Sequence, residues 1–289
     1  MREITAKQAA RAAGGRVIFG DPEKKICHIS LDSRKMEGRD LFVPIVGERV
    51  DAHRFICQAI SAGAETVFTS CHHSEKEIRE AIESKCREHP EWSGQALLST
   101  WICVEDTKEA LQALGAWCRS QAQIPLVGIT GSVGKTTTRE MVACALSAGY
   151  RVYKTPGNSN SQVGVPITVF NIPKEAQIGV IELGMSEPGE MTKIAQVAQT
   201  DCAVMTNIGV AHKYFKREAP YPGWNGRGWC SFPQWRRSSP ASGNAGPGTQ
   251  PDPLWPVGRL RLPGREPSSG KWLSCLYRSL QRRAGTGTP

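Results

Sequence analysis

A glycine-rich segment of this 289-residue chain has the residue types that bind phosphate. It reads GITGSVGKTTTREM (residues 128–141) and overlaps the end of the apolar run IPLVGIT, so a buried strand leads through a glycine turn into a helix. In that arrangement the N–H groups of the turn and the positive end of the helix dipole converge on an anion. Lys135 can reach terminal phosphates, and the Thr136 hydroxyl can bind Mg²⁺. We therefore predict a phosphate site at this turn.

The spacing of the glycines differs from that of the usual phosphate loop. The usual loop has a glycine five residues before Gly134, where this chain has Ile129, and the nearer glycine here is Gly131, three residues before it. The alternative is a helix N-terminus that uses glycine only to turn. The preceding strand, the following helix and the Lys-Thr-Thr sequence favour phosphate binding.

Polar side chains also follow two other predicted strands. Glu182 ends a strand in IELG, and Asn207 and His212 follow another in TNIGVAH. Open parallel sheets bind ligands outside the carboxyl ends of their strands. A carboxylate and an imidazole beside a phosphate site are candidate Mg²⁺ ligands. The alternatives are that Glu182 pairs with a nearby basic group and that His212 is an ordinary loop histidine.

Alternating strands and helices predict an α/β fold for residues 1 to about 212. Predicted strands are ICHISLD (26–32), LFVPIV (41–46), ETVFTS (65–70), WICVE (101–105), IPLVGIT (124–130), IGVIELG (178–184) and CAVMTNIG (202–209). Predicted helices are 6–13, 53–63, 74–88, 106–121, 135–149 and 189–199. Apolar strands that alternate with helices are typical of a parallel sheet covered on both faces. We place a domain boundary near residue 122, between a smaller α/β domain and a nucleotide-binding one.

Composition indicates a cytoplasmic protein that does not enter membranes. The ten cysteines form no C-x-x-C pair, which favours reduced thiols over a disulfide framework. The charged N-terminus MREITAKQAARAAGGRVIFG lacks the apolar core of a signal peptide. No segment approaches the roughly 18 uninterrupted apolar residues of a membrane span.

The basic charge of the chain is concentrated at its C-terminal end. The net charge is +9, and residues 219–289 contain ten Lys and Arg against two Asp and Glu. The same 71 residues contain 11 Pro, 11 Gly, one Val and no Ile. Such a composition is typical of segments that cannot build a packed core. We therefore predict a disordered tail over residues 213–289.

Several motifs in order resemble the Mur ligase family. The segments GITGSVGKTTTREM, GNSNSQVGVPIT, IELGMSEPGEMTKIA and TNIGVAH resemble the ATP-binding domain of these ligases. The segment DSRKMEGRDLFVPIVGERVDAHRF (residues 32–55) resembles their N-terminal UDP-binding domain. The resemblance implies a UDP-sugar-binding domain over residues 1–122 and an incomplete P-loop parallel-sheet domain, which binds ATP, over residues 123–212.

The resemblance also implies an activity, cofactors and site residues. It is strongest to the members that use ATP and Mg²⁺ to join D-alanyl-D-alanine to a UDP-N-acetylmuramoyl peptide through an acyl phosphate in peptidoglycan synthesis. Catalytic roles then fall to Lys135, Glu182 and His212, and Mg²⁺ ligation to Thr136, Glu182 and His212. The implied nucleotide contacts are Thr130, Gly131, Ser132, Val133, Gly134, Lys135, Thr136, Thr137, Asn158, Asn160 and Asn207. The implied UDP-sugar contacts are Ser33, Arg34, Gly47, Arg49 and His53.

The sequence departs from the family pattern after His212. Members of the family continue there with a lysine that helps to bind a second Mg²⁺, residues that hold adenine, and a third domain that brings the amine. The segment KYFKREAPYPGWNGRGWCSFPQWRRSSP has no strand–helix alternation. We therefore expect this chain to be catalytically incomplete. We also expect it to be a monomer.

Two other functions are compatible with the same motifs. One is a non-catalytic nucleotide-binding fragment whose basic, Trp-bearing tail binds nucleic acid by charge and stacking, or binds another partner. The other is a P-loop phosphotransferase that acts on a small substrate. A phosphotransferase would leave the N-terminal domain unexplained. For the basic tail, we expect no nucleic-acid partner.

Overall fold

A computed structural model describes residues 3–70, 74–90, 98–186 and 189–206. The chain divides into two compact units. The first unit comprises Met1–Gln123, Ser159–Glu175 and Gln196–Ala198, and the second comprises Ile124–Asn158, Ala176–Ala195 and the residues from Gln199 onward. The division after Gln123 lies next to the predicted boundary. The assignment of UDP binding and ATP binding to the two sides of that boundary stays a prediction, and the predicted tail lies outside the described residues.

The strands form one five-stranded sheet and one short pair in the first unit and a four-stranded sheet in the second. They are β1 Ile4–Thr5, β2 Arg16–Phe19, β3 Lys25–Ile26, β4 His28–Ser30, β5 Asp40–Phe42, β6 Ala64–Thr69, β7 Thr100–Cys103, β8 Leu126–Thr130, β9 Val152–Lys154, β10 Ile178–Glu182 and β11 Cys202–Met205. The first-unit sheet has the order β2-β7-β6-β5-β4, and β1 pairs with β3. The second-unit sheet has the order β11-β8-β10-β9.

The strand directions confirm the predicted α/β architecture. All the pairs in the second-unit sheet are parallel, as are the pairs among β4, β5, β6 and β7. Only the edge strand β2 of the five-stranded sheet runs antiparallel to its neighbour. Carboxyl ends of parallel strands share one edge of a sheet, where ligands bind in open α/β folds.

Seven α-helices and a 3-10 helix connect the described strands. The α-helices are α1 Ala6–Ala12, α2 Ile56–Ser61, α3 Glu75–Glu88, α4 Thr107–Gln121, α5 Lys135–Ser147, α6 Gly164–Phe170 and α7 Glu190–Ala198, and the 3-10 helix is Ala52–Phe55. Among the described residues, none of them combines the length and apolar character that a membrane crossing requires.

Side-chain caps explain where three of these helices begin. Thr5 and Gln8 form a capping box at α1, and Ser74 and Glu77 form another at α3. At α4 the Asp106 carboxylate accepts from the N–H of Glu109 at 2.7 Å. Each cap satisfies N–H groups that a helix start leaves unpaired, and it stabilises the helix by about 1 kcal/mol. These contacts are local, because each cap bonds an N–H only three residues along the chain.

Each unit has its own apolar core. In the first unit, Ile78 and Ile82 on one face of α3 pack with Phe42, Ile60 and Val67. Both isoleucines are 2% exposed, and such burial contributes about 1.5–3 kcal/mol for each side chain. The core of the second unit is made by Val127, Ile129, Val142, Ala143, Leu146, Ile178 and Val180. It holds α5 against the strands beside which the phosphate site was predicted.

Some predicted elements differ from those in the structure. The predicted strand over residues 26–32 is two short strands, β3 and β4, and the one over 41–46 ends at Phe42. Pro44 lacks the N–H that would continue the ladder, and its carbonyl accepts instead from the Thr107 hydroxyl. Strands β1, β2 and β9 and helix α6 were not predicted.

Candidate functional site

The turn between β8 and α5 has the backbone conformation that a phosphate loop needs. Gly131 has φ of +133° and Gly134 has φ of +84°, a region where a Cβ atom is strained. The Lys135 ammonium bends back over the turn and donates to the Gly131 carbonyl at 2.8 Å. From the end of β11, the Thr206 N–H donates to the Thr130 carbonyl at 2.9 Å, and its hydroxyl bonds the Val133 carbonyl. Lys135 and Thr206 therefore hold the turn from both sides.

Glu182 lies directly beside this turn. Strand β10 pairs with β8 so that Glu182 is opposite Ile129, and its side chain is buried. The Thr136 hydroxyl donates to Glu182 Oε2 at 3.0 Å. Glu182 is also fixed through its backbone, because its N–H donates to the Thr155 hydroxyl at 2.8 Å. The structure thus brings together two of the three residues predicted to bind Mg²⁺, while His212 and Asn207 lie outside the described residues.

A basic residue that the sequence reasoning did not select also reaches Glu182. Arg139 Nη1 lies 3.2 Å from Glu182 Oε2, and the side chains of Arg139 and Glu182 are 6% and 2% exposed. Thr136 and Arg139 are three residues apart on α5, a spacing that places side chains on one helix face. That spacing is the signal in the sequence that could have identified Arg139. Pairing with a basic group was the alternative interpretation of Glu182. The carboxylate accepts from the basic Arg139 and also from the Thr136 hydroxyl.

The oxygens of Thr136 and Glu182 fit a magnesium ion. Neighbouring ligands of an octahedral Mg²⁺ lie about 3.0 Å apart when each is about 2.1 Å from the ion. The separation between Thr136 Oγ1 and Glu182 Oε2 is 3.0 Å. Within the described ranges no cluster of three or more His, Cys, Asp or Glu could hold a metal by itself. The pair therefore suits an ion whose other ligands are phosphate oxygens and water.

Of the three asparagines predicted to contact nucleotide, the two that the structure describes fall into different units. Asn158 is exposed, follows Gly157 with its φ of +54°, and groups with the second unit. Asn160 is half-buried and groups with the first unit. A nucleotide contact for either residue stays a prediction.

The predicted UDP-sugar residues follow neighbouring parallel strands of the first unit. Ser33 and Arg34 come after β4, and the segment from Gly47 to His53 comes after β5. Ser33 is buried, and its hydroxyl donates to Gln58 Oε1 at 3.2 Å. The two predicted segments therefore begin at the same sheet edge.

Arg34 is held by a neighbouring carboxylate. Its Nε and Nη2 donate to the two oxygens of Asp32 at 2.8 and 2.9 Å. The side-chain and backbone hydrogen bonds from Arg34 lower the pKa of Asp32 to about 2. Asp32 is therefore ionised at neutral pH and orients the exposed guanidinium.

His53 closes the segment that follows β5. The Ser70 N–H, after β6, donates to His53 Nε2 at 3.1 Å, so the ring proton is on Nδ1 and faces Asp51 Oδ1 at 2.6 Å. The Gly47 N–H donates to the Val50 carbonyl at 3.0 Å, and Arg49 between them is exposed. Both ring nitrogens of His53 thus have protein partners. The contact of Nε2 with Ser70 connects the segment from Gly47 to His53 with the end of β6. A direct contact between His53 and substrate stays a prediction.

Two models of Mur ligase domains match the segments that contain these candidate residues. The family model described as "Mur ligase family, catalytic domain" matches residues 25–116, and the "Mur ligase middle domain" matches residues 129–218. The second match contains the glycine turn, Lys135, Thr136 and Glu182. The chain belongs to the Mur ligase family.

Within the family, the chain is similar to ligases for D-alanyl-D-alanine. It is 35% identical over 213 residues to the UDP-N-acetylmuramoyl-tripeptide–D-alanyl-D-alanine ligase of Bacillus subtilis, an alignment that covers 73% of this chain and 42% of that protein. The corresponding ligase of Treponema pallidum is 36% identical, with 70% and 42% covered. The chain therefore spans about two fifths of the length of these relatives.

Solved MurF structures have the same fold. A crystal structure of MurF from Acinetobacter baumannii has a TM-score of 0.62 and 32% identity, over 74% of this chain and 43% of that one. MurF ligase from Thermotoga maritima, solved in complex with ADP, has a TM-score of 0.52 and 30% identity, over 65% and 39%.

Proposed function

We propose that residues 3–206 are the nucleotide-binding and UDP-sugar-binding part of an ATP-dependent ligase that adds D-alanyl-D-alanine to a UDP-N-acetylmuramoyl peptide. The observation that carries the proposal is the glycine turn with Lys135 over it and the Thr136–Glu182 pair beside it. The names of the relatives and the ADP complex of the Thermotoga maritima enzyme support the nucleotide and the substrate class.

In the proposed reaction, a carboxylate oxygen of the peptide attacks the γ-phosphorus of ATP, and the bond from that phosphorus to ADP breaks. The amine of D-alanyl-D-alanine then attacks the acyl carbon, phosphate leaves, and the nitrogen loses a proton to give the amide. Lys135 and the N–H groups of the turn hold the phosphates, which acquire charge during the transfer. Thr136 and Glu182 would hold Mg²⁺, which would offset negative charge on the phosphates. The residues that hold the amine are not assigned among the described ones.

The first unit would hold the UDP end of the UDP-N-acetylmuramoyl peptide. Arg34 and Arg49 offer exposed guanidinium groups that suit diphosphate oxygens, and Asp32 holds the first of these in place. Ser33 and the backbone of Gly47 lie on neighbouring connections at the same sheet edge. Binding energy from this remote end of the substrate can be used to place the reacting carboxylate.

Titration calorimetry on the full chain tests the proposal. We expect saturable binding of Mg-ATP and, separately, of UDP-N-acetylmuramoyl tripeptide. UMP and free phosphate serve as controls for the two ligands. A chain that is folded by circular dichroism but binds neither ligand would contradict the proposed function.

Glu182→Gln is expected to weaken nucleotide binding only when Mg²⁺ is present. The amide keeps the size of the side chain but removes the charge that suits the ion. We expect the affinity for ATP with Mg²⁺ to fall about tenfold or more, and the affinity in EDTA to change little. Calorimetry in both conditions measures the difference. The matched control is Glu175→Gln, which removes an exposed carboxylate of the first unit. If Glu182→Gln lowered the affinity for ATP equally with Mg²⁺ and with EDTA, Glu182 would be a purely structural residue.

His53→Phe is expected to weaken UDP-sugar binding and to spare Mg-ATP binding. Phenylalanine has nearly the shape of histidine but loses the hydrogen bonds to Asp51 and Ser70 that hold the preceding segment. Loss of about 1.5 kcal/mol of charge-assisted bonding corresponds to roughly a tenfold weaker affinity. Calorimetry with the UDP-linked peptide measures the change. His28→Phe is the matched control, since His28 also faces a carboxylate, Glu37, on the same unit. An unchanged affinity of His53→Phe for the UDP-linked peptide would mean that the segment from Gly47 to His53 does not contribute to substrate binding.

A further inference from the structure

The buried guanidinium of Arg139 has no part in the function proposed above. It lies in the interior of the second unit, on the face of α5 that also presents Thr136. Burial of a charged side chain is costly unless its hydrogen bonds are satisfied. The partners of Arg139 therefore indicate what the residue does.

Three groups surround the guanidinium. Nη1 donates to the Gly157 carbonyl at 2.6 Å and to Glu182 Oε2 at 3.2 Å. Nε and Nη2 donate to Glu140 Oε1 at 3.1 and 2.7 Å. Glu140 in turn pairs with Lys154 of β9. The arginine thus joins helix α5, the end of β10 and the turn after β9.

The contact with Glu182 bears on the magnesium ligand. Oε2 of Glu182 accepts from Arg139 and from Thr136, so the guanidinium lies on the carboxylate oxygen whose distance to Thr136 suits the ion. Gly157 is in a left-handed conformation immediately before Asn158, a predicted nucleotide contact. A planar guanidinium can bond both groups at once, whereas a lysine ammonium offers no such rigid fork.

We propose that Arg139 is a positioning residue of the nucleotide site. It aims the Glu182 carboxylate at Thr136 and holds the Gly157 turn, so that the metal ligand is in place before Mg-ATP arrives. The inference rests on the proposed function, because it assigns Arg139 a role toward the metal of that same site. A side chain that hydrogen-bonds a metal ligand acts in this way, because it fixes the orientation of that ligand.

The test measures how strongly Mg²⁺ enhances nucleotide binding. ATP and ADP are titrated by calorimetry into the full chain with MgCl₂ and with EDTA, and the ratio of the two affinities is the readout. For Arg139→Gln we expect this ratio to fall by about 10–100-fold. Arg139→Lys keeps the charge and is expected to retain part of the enhancement. A residue that only packed α5 would lower both affinities together and leave the ratio unchanged.

Glu140→Gln is the matched control. This variant removes a carboxylate partner of Arg139 and leaves Glu182 unchanged. We expect the ratio of affinities with and without Mg²⁺ to stay within about threefold of that of the original chain. The reason is that Thr136 and Glu182 keep their relative positions. A loss as large as that of Arg139→Gln would assign the effect to the rigidity of the whole network and would overturn the proposal.

A double-mutant cycle with Glu182→Gln covers the case in which Arg139→Gln does not fold. In the Glu182→Gln background the buried carboxylate charge is already gone, so Arg139→Gln leaves no unpaired acid there. If Arg139 acts through Glu182, adding Arg139→Gln should not reduce the ratio further. Three results would overturn the inference. The first is a further loss of the affinity ratio in the double mutant, and the second is an unchanged ratio in both Arg139→Gln and Arg139→Lys. The third is a ratio that rises in these variants because Arg139 competes with the ion. Failure of the original chain to bind Mg-ATP would instead refute the proposed function, so the two outcomes are distinguishable.

Discussion

Lys135→Ala is expected to lower the affinity for Mg-ATP by about 10–150-fold, because charge-assisted bonds to phosphate contribute about 1.5–3 kcal/mol. The Lys135 ammonium already lies 2.8 Å from the Gly131 carbonyl, over the turn whose two glycines have left-handed φ values. A phosphate in the turn would replace that carbonyl as its partner. Calorimetry with Mg-ATP on the full chain measures the loss.

Lys193→Ala is the matched control for this prediction. Lys193 is exposed on α7 in the second unit, so the variant removes the same charge from a helix that is not part of the turn. We expect its Mg-ATP affinity to stay within about twofold of the original chain, because salt screens the interactions of exposed charges. If Lys135→Ala bound Mg-ATP as well as Lys193→Ala does, the turn would not be a phosphate site.

Gly115→Val is expected to destabilise the first unit by about 3 kcal/mol, at the upper end of the cost of overpacking a core. A Cβ atom at position 115 would lie 2.7 Å from Cβ and 2.8 Å from Cα of Pro166, and 3.1 Å from a methyl group of Val197. The proline atoms belong to a rigid ring in α6, so α4 and α6 would have to separate. The better helix propensity of valine offsets only about 0.5 kcal/mol.

Urea unfolding followed by far-ultraviolet circular dichroism, together with hydrogen exchange at the amides of α4 and α6, measures this effect. Ala113→Val is the control, because Ala113 is exposed on the same helix. We expect that variant to change stability by no more than about 0.5 kcal/mol. Equal destabilisation by the two variants would mean that the helices are not packed as closely as the structure indicates.

The glycine turn between β8 and α5 was predictable because its determinants are adjacent in the sequence. An apolar run, two glycines, a lysine and a threonine within residues 124–136 specify a strand, a turn and the start of a helix by local conformational preference. The caps Thr5 and Asp106 are local in the same sense, since each bonds an N–H three residues along the chain. Parallel pairing of β8, β10 and β11 followed from their apolar character and the helices between them.

Elements with weak local signals were missed. Strand β9 has three residues and depends on its pairing with β10. Helix α6 contains Pro166 and four β-branched residues in GVPITVF, which disfavour a helix. The proline lies in the first helical turn, where the missing N–H costs little, and Gly115 of α4 leaves the room it needs. That packing also groups residues 159–175 with the first unit, which the single boundary near residue 122 did not anticipate.

The sequence by itself determined the family, the glycine turn before α5 and the choice of Thr136 and Glu182 as candidate metal ligands, because these depend on short motifs and on the rule for strand ends. Only the tertiary structure decided the partners of Glu182, namely Thr136, 46 residues away, and Arg139, 43 residues away. It likewise decided that His53 is tied to Ser70, 17 residues along the chain. Local preferences of the backbone specify where a strand ends. They carry no information about which distant side chain fills the space beside that end, since this depends on how whole elements pack.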